Sequence, residues 1–256
     1  MKFDLVLSGV GGQGILSIAF LVDNAALKRG LHVKQAEVHG MSQRGGSVYS
    51  HLRVSSHPIM SDLIPEGRAD MILSMEPLEV GRYLSYLGKD GIVITSSTPF
   101  ANIPNYPSED SIYRSLFRLG RVVMVDAKAI ALKAGAPLAQ NVAMLGAALP
   151  FLPFEQADFS RMLEEKFARK GEKIVKANLQ ALEFGLRSGQ FYKGLMDAGI
   201  SAQNCFYVTR GLDVASIDPS LAKAFAERLN ARNNSPLTAA IGENLPCRLE
   251  SLDSVV

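Results

Sequence analysis

Residues 9–17, GVGGQGILS, follow directly on the apolar run KFDLVL, and beyond them Ile15, Ile18, Ala19, Val22 and Ala26 recur at helical spacing. Lys28 and Arg29 suit the negative end of a helix dipole, and Gly30 supplies a left-handed stop. The reading is strand, glycine loop, helix. A second apolar run, Val33 to Val38, comes next, then Met71 to Leu73, Ile92 to Ile94 and Val122 to Val125. Short runs without polar alternation belong to strands covered on both faces, which parallel sheets with crossover helices provide. The chain is therefore expected to be α/β, a Rossmann-like, mostly parallel sheet flanked by helices. One further helix is expected from Pro77 to Gly88. After Pro150 the strand signal ends, and Phe154–Phe167 and Glu172–Arg187 read as helices, the second striped with Val175, Leu179, Leu182 and Leu186. From Gly189 onward Ser, Asn and Pro increase, and ARNNSP at 231–236 signals a loop. The expected organisation is a main unit over 1–189 and a C-terminal extension over 190–256, helical at first and less regular later. Within the extension, Asp218 is placed to cap a short helix that opens on Pro219 and reaches Arg228.

The loop itself has the GxGxxG spacing at Gly9, Gly11 and Gly14, with Gly12 and Gln13 between. Such glycines let backbone approach a ligand, and free amides at the helix start face an anion. The same glycines also suit a tight turn packed closely on the sheet, so the spacing alone leaves both open. Glu37 lies 23 residues past Gly14, where a dinucleotide fold keeps its ribose acid, which raises a self-sufficient NAD- or flavin-dependent oxidoreductase. Against that stands HGMSQRGGSVYSHLRV, residues 39–54. A crossover helix is expected there; instead comes a polar loop and then Val48, Ser50, Leu52 and Val54, read as a strand with one wet face. Ser42, Gln43, Arg44, Gly45 and Gly46 offer a guanidinium fork beside exposed amides, suited to phosphate or carboxylate, or else a turn whose Arg44 pairs with an acid.

Composition excludes more than it identifies. The 256 residues carry 27 Lys+Arg against 25 Asp+Glu, a net +2 that gives no electrostatic case for nucleic acid or a membrane surface. No run approaches the roughly 18 apolar residues of a spanning helix and no leader precedes the first strand, so the expected location is cytoplasmic. Cys205 and Cys247 alone cannot hold an iron–sulfur cluster. His39 and His51 lack neighbouring ligands and are expected to hydrogen-bond in loop and strand, so no metal is expected; Ser8, Ser42 and Ser47 lack a nucleophile elbow; and Met41, Met71, Met75 and Met144 read as core filler.

Three blocks in order, GVGGQGILS, EVHGMSQRGGSVYSHLR and DLIPEGRADMILSMEPLEVGRYLSYL, together resemble the gamma subunit or domain of the 2-oxoacid:ferredoxin oxidoreductases, above all the small subunits of the indolepyruvate type. The resemblance runs over about residues 1–188, through the helix containing ANLQALEFG. It implies oxidative decarboxylation of a 2-oxo acid, with thiamine diphosphate and magnesium, iron–sulfur clusters passing electrons to ferredoxin, and coenzyme A taking the acyl group. No GDG motif with a distant Asn occurs here, so those groups are implied to sit on a larger partner subunit. What this chain is implied to add is a phosphate contact for coenzyme A as co-substrate, at Gly11 to Gly14 with Arg44 nearby. A surface made for a large subunit also implies that the isolated chain forms a homodimer.

Overall fold

The computed structural model describes residues 1–39, 45–101, 103–231 and 245–248, with the side chains of residues 38 and 39 excepted. A six-stranded sheet runs through it, built from β1 (Lys2–Val10), β2 (His32–His39), β3 (Ser47–Ser55), β4 (Ala69–Ser74), β5 (Leu87–Ser96) and β6 (Val122–Val125). Each of the five expected runs lies in a strand. The spatial order is β2-β3-β1-β4-β5-β6, with β4, β5 and β6 each parallel to the strand before it and β3 antiparallel to both its neighbours. Leu5, Val6, Leu7, Ile72, Leu73, Val93, Ile94, Val122 and Val123 are fully or almost fully buried, as strands covered on two faces must be.

Helix α1 (Ile15–Lys28) follows the glycine loop and stops as expected, with Gly30 at φ 72°. Its inner face, Ile15, Ile18, Ala19, Val22 and Ala26, packs against β3 and β2. The helix expected from Pro77 is shorter: α2 spans only Val80–Tyr83 and passes through a 3-10 turn, Leu84–Tyr86, into β5. Gly88, expected as a helix stop, is a strand residue. A Cβ there would meet Ala69 O at 3.0 Å, so glycine is needed for backbone contact with β4. Three further helices, α3 (Glu109–Phe117), α4 (Ala127–Lys133) and α5 (Gln140–Ala148), complete the first 150 residues together with α1 and α2.

Helices α6 (Gln156–Phe167) and α7 (Glu172–Asp197) match the two expected after Pro150, but α7 runs ten residues beyond Arg187. The boundary drawn at 189/190 therefore falls inside a helix whose Phe191, Tyr192 and Leu195 are fully buried. Beyond it, α8 (Ala202–Gly211) packs on β6, and α9 (Ala222–Ala231) meets α7 through an edge-on Phe191–Phe225 pair at 5.2 Å. Asp218 caps the turn opening on Pro219 by accepting from Ser220 N. Buried α5 lies between the sheet and α7, every residue from Val142 to Ala148 shielded.

The expected wet face of β3 is covered. Tyr49, His51 and Arg53 point to the face opposite Ser50, Leu52 and Val54, where residues 56–67 strap across. Arg53 donates to Ser61 O and Leu63 O and grips Asp4 at 2.8 and 3.2 Å; His51 Nδ1 accepts from Ile64 N. Burial, and then the Arg53 charge, push the His51 pKa down, consistent with a neutral ring taking a backbone N–H. Alternation called for a polar face; long-range bonding to the strap buries it.

Candidate functional site

In this sheet the chain leaves β1 toward β2 on one side and leaves β4 toward β5 on the other. The crevice between the carboxyl ends of β1 and β4 is thus the topological switch point, where open α/β sheets bind ligands. Two loops meet there: Val10 to Gly14 after β1, and Met75 to Glu79 after β4. A third, the β2–β3 connection, arrives beside them because β3 pairs with β1.

The glycines of the first loop divide into two kinds. A Cβ on Gly9 would lie 2.7 Å from Gln13 Oε1 and 3.0 Å from Met75 Cβ, and one on Gly14, at φ 81°, would lie 2.7 Å from Asn141 Nδ2. These two make room for protein. Gly12, at φ 102°, is exposed and has no described residue within 4 Å of that position, so among the described residues its bare side is open. Gln13 is turned inward: Oε1 accepts from Val10 N at 2.8 Å and Nε2 donates to Met75 O at 3.3 Å, clamping the loop across the crevice. Gly11 pairs with the incoming arm of the β2–β3 connection, its N–H donating to Gly46 O at 2.8 Å while Gly45 N donates to Gly11 O. Helix α1 then opens with no side-chain cap and no acid in its first turn. Uncapped amides and the positive dipole end favour an anion there.

Glu37 is exposed and takes a hydrogen bond from Gln35 Nε2 at 2.5 Å. It sits on edge strand β2, with β3 between it and β1, so about two strand spacings, nearly 10 Å, separate its strand from the glycine loop's. A ribose acid serves a neighbouring strand, one spacing away. Asp23 of α1 lies near Glu37; burial first, and the Glu37 charge second, push its pKa up to about 6. Ser42, Gln43, Arg44 and Met41 lie outside the described residues, as does the side chain of His39. Met71, Met75 and Met144 are buried in the core, and both cysteines are buried and unpaired. Among the described residues no group of three or more His, Cys, Asp and Glu is gathered for a metal, and no helix is long and apolar enough to cross a membrane.

Two residues at the crevice escaped the sequence reading. Glu76 and Glu79, 1% and 4% exposed, stand just past the carboxyl end of β4. Glu76 Oε2 accepts from Glu79 N at 2.9 Å, and its Oε1 accepts from Phe100 N at 3.3 Å and from the Tyr106 hydroxyl. Glu79 accepts from the Ser47 hydroxyl and from Arg82 Nε at 3.0 Å, and Tyr83 Oη lies 2.9 Å from Ser47 Oγ. Their signal was available: two carboxylates directly behind an apolar run, in SMEPLE, at the strand end where ligands gather.

The family model described as pyruvate ferredoxin/flavodoxin oxidoreductase matches residues 4–188. The indolepyruvate oxidoreductase subunit IorB of Archaeoglobus fulgidus is 38% identical over 194 residues, covering 72% of this chain and 94% of that one. Its namesake in Thermococcus kodakarensis is 34% identical, covering 76% and 99%. Among solved structures, the pyruvate oxidoreductase subunit PORC of Thermotoga maritima has the same fold, with TM-score 0.57 at 21% identity over 72% of this chain and 95% of that one. A 2-oxoglutarate:ferredoxin oxidoreductase chain from Magnetococcus marinus, solved with 2-oxoglutarate, coenzyme A and succinyl-CoA, superposes with TM-score 0.58 at 15% identity. That match covers 96% of this chain and 43% of the other, so the helices beyond residue 188 also have a counterpart in fold.

Proposed function

The chain belongs to the pyruvate ferredoxin/flavodoxin oxidoreductase family, and from that premise we propose that it is the small subunit of a cytoplasmic, thiamine-diphosphate-dependent enzyme oxidising indolepyruvate or a related arylpyruvate. In that enzyme coenzyme A receives the acyl group and ferredoxin the electrons. Thiamine diphosphate, magnesium and iron–sulfur clusters reside on the larger partner. This chain's task is to hold a phosphate of coenzyme A. The observation that carries the reading is Gly12: a bare backbone with no described residue above it, beside the uncapped start of α1, at the switch point of the sheet. An anion fits this donor set, since no side chain caps α1 and no carboxylate stands in its first turn, although Gly11 N–H and Gln13 N–H are taken by Gly46 O and Val10 O. Gly11 to Gly14 supply the backbone, Gly45 and Gly46 the adjoining arm, and Arg44 the charge. A dinucleotide reading is disfavoured because β3 stands between Glu37 and β1.

Residues 1–189 carry the family's unit, and the helices after them close the far end of the sheet as an extension. The outer face of α1 carries Leu16, Phe20 and Leu27, 39%, 54% and 58% exposed, and it is where the large subunit, or a second copy of the isolated chain, docks. The test is reconstitution. The chain alone should give no coenzyme A-dependent indolepyruvate oxidation with a viologen acceptor; addition of its thiamine- and cluster-bearing partner should give it. Turnover by the chain alone, with bound NAD or flavin, would replace this reading by the stand-alone oxidoreductase.

A further inference from the structure

The two buried glutamates behind β4 form a continuous hydrogen-bonded path from the loop after β5 to the glycine loop. Phe100 N–H and the Tyr106 hydroxyl meet Glu76 Oε1; Glu76 Oε2 takes the N–H of Glu79; the Glu79 carboxylate takes the Ser47 hydroxyl; and Gly46, the neighbour of Ser47, accepts from Gly11 N. Each carboxylate is almost wholly shielded, and burying such a charge is unfavourable unless donors surround it. The site holds two carboxyl groups there and satisfies them with loop donors. The sheet ladder ends at the Val10–Ser47 pair, so beyond it β1 and β3 no longer hold each other. Past that point, among the described residues, the two loops are joined by the Gly11–Gly46 and Gly45–Gly11 bonds, and Ser47 is anchored on Glu79.

We propose that Glu79 is a positioning residue of the anion cradle, setting the Gly45–Gly46 arm against Gly11 through Ser47, with Glu76 fixing Glu79 in turn. This deepens the coenzyme A reading, since the arm bears on that site; the positioning itself is independent of which anion binds. Arg82 and Tyr83 complete the shell: Arg82 occupies the second oxygen of Glu79, and Tyr83 lies beside Ser47 Oγ. Glutamine at 79 keeps an oxygen for one of these donors and loses the charge that holds both. Alanine at 47 removes the link without disturbing the glutamate's own burial.

The experiment compares Glu79→Gln, Ser47→Ala and the double variant. In the full chain, amide exchange of the peptides containing Gly11 and Gly45 is followed; in the reconstituted complex, KM for coenzyme A and kcat are measured. Both single variants should speed exchange at Gly11 and raise KM about tenfold, with kcat within about twofold of wild type. The double variant should add little to either, because both act through one bond. Unchanged exchange at Gly11, or additive effects of the two substitutions, would overturn the proposal. Should Glu79→Gln fail to fold, Ser47→Ala decides alone. Faster exchange with unchanged KM would support the positioning role and count against coenzyme A at this loop, which separates the two failures.

Discussion

Glycine does opposite jobs in two regions of this molecule that meet at α5, whose Asn141 lies against Gly14. On the crossing of α5 and α7 the helices touch backbone to backbone: a Cβ on Gly146 would overlap Leu182 O, one on Gly185 would overlap Ala143 O, and one on Gly189 would overlap Ala147 O. At the carboxyl edge of the sheet, a Cβ on Gly12 would meet no described residue within 4 Å. In the first place glycine is required by protein already there. In the second the protein leaves it no reason except the backbone angle and whatever approaches from outside. A motif quoted from a sequence cannot tell the two apart; what faces the missing Cβ can.

The contrast is broken most severely at the helix crossing. Gly185→Val should collide with the α5 backbone, which has no free volume to yield, costing about 3 kcal/mol or more and leaving insoluble or unassembled chain. Expression and melting of the variant measure it; a soluble protein melting within a few degrees of wild type would mean the crossing is looser than described. A smaller effect is expected at Gly14, whose left-handed φ of 81° strains any side chain and whose Cβ would press on the Asn141 amide. Gly14→Ala should lose about 1–2 kcal/mol, because a side chain can move where backbone cannot. Smaller still is Asp23→Asn. Asp23 is pushed up to about 6 by burial and by Glu37, so the folded state holds its proton more tightly than the unfolded state does. That stabilisation is complete below about pH 3.8 and is lost as pH rises through 6. The asparagine variant should therefore gain stability over wild type above pH 6, by about 1 kcal/mol after solvent screening, and gain nothing below pH 4. Melts at pH 4 and pH 8 test the sign.

Much of this architecture was legible because it depends on local pattern. The apolar runs at Phe3, Met71, Ile92 and Val122 announced doubly covered strands, whereas Val33–Val38, read the same way, lies on the half-exposed edge strand β2; Ile15 to Gly30 announced a helix with its stop. What failed depended on distant partners. The wet face expected of β3 failed because residues 56–67 supply Ile64, Ser61 and Leu63 to bond His51 and Arg53 there. The helix from Pro77 shrank at its far end, where Leu84–Tyr86 tighten into a 3-10 turn and Gly88 is claimed by β4. The Gly185–Gly189 spacing is an ordinary helical stretch until α5 is laid across it. At the site, the glycine loop was legible from spacing, whereas the inward clamp of Gln13 and the glutamates at 76 and 79 needed the strand order.

The central claim is that Gly12 faces a phosphate, and the direct measurement is the Michaelis constant for coenzyme A in reconstituted complexes carrying Gly12→Leu, with Gly30→Leu as the control. Both glycines have positive φ, 102° and 72°, and no described residue within 4 Å of a Cβ, at opposite ends of α1, so both substitutions carry backbone strain of about 1–2 kcal/mol or more. The account predicts a similar small fall in melting temperature for both, and a rise in KM of about tenfold or more for Gly12→Leu alone, matched by Arg44→Ala through loss of a charge-assisted contact. An unchanged coenzyme A dependence in the Gly12 and Arg44 variants, with the complex assembled, would contradict it and leave the loop a turn that holds nothing.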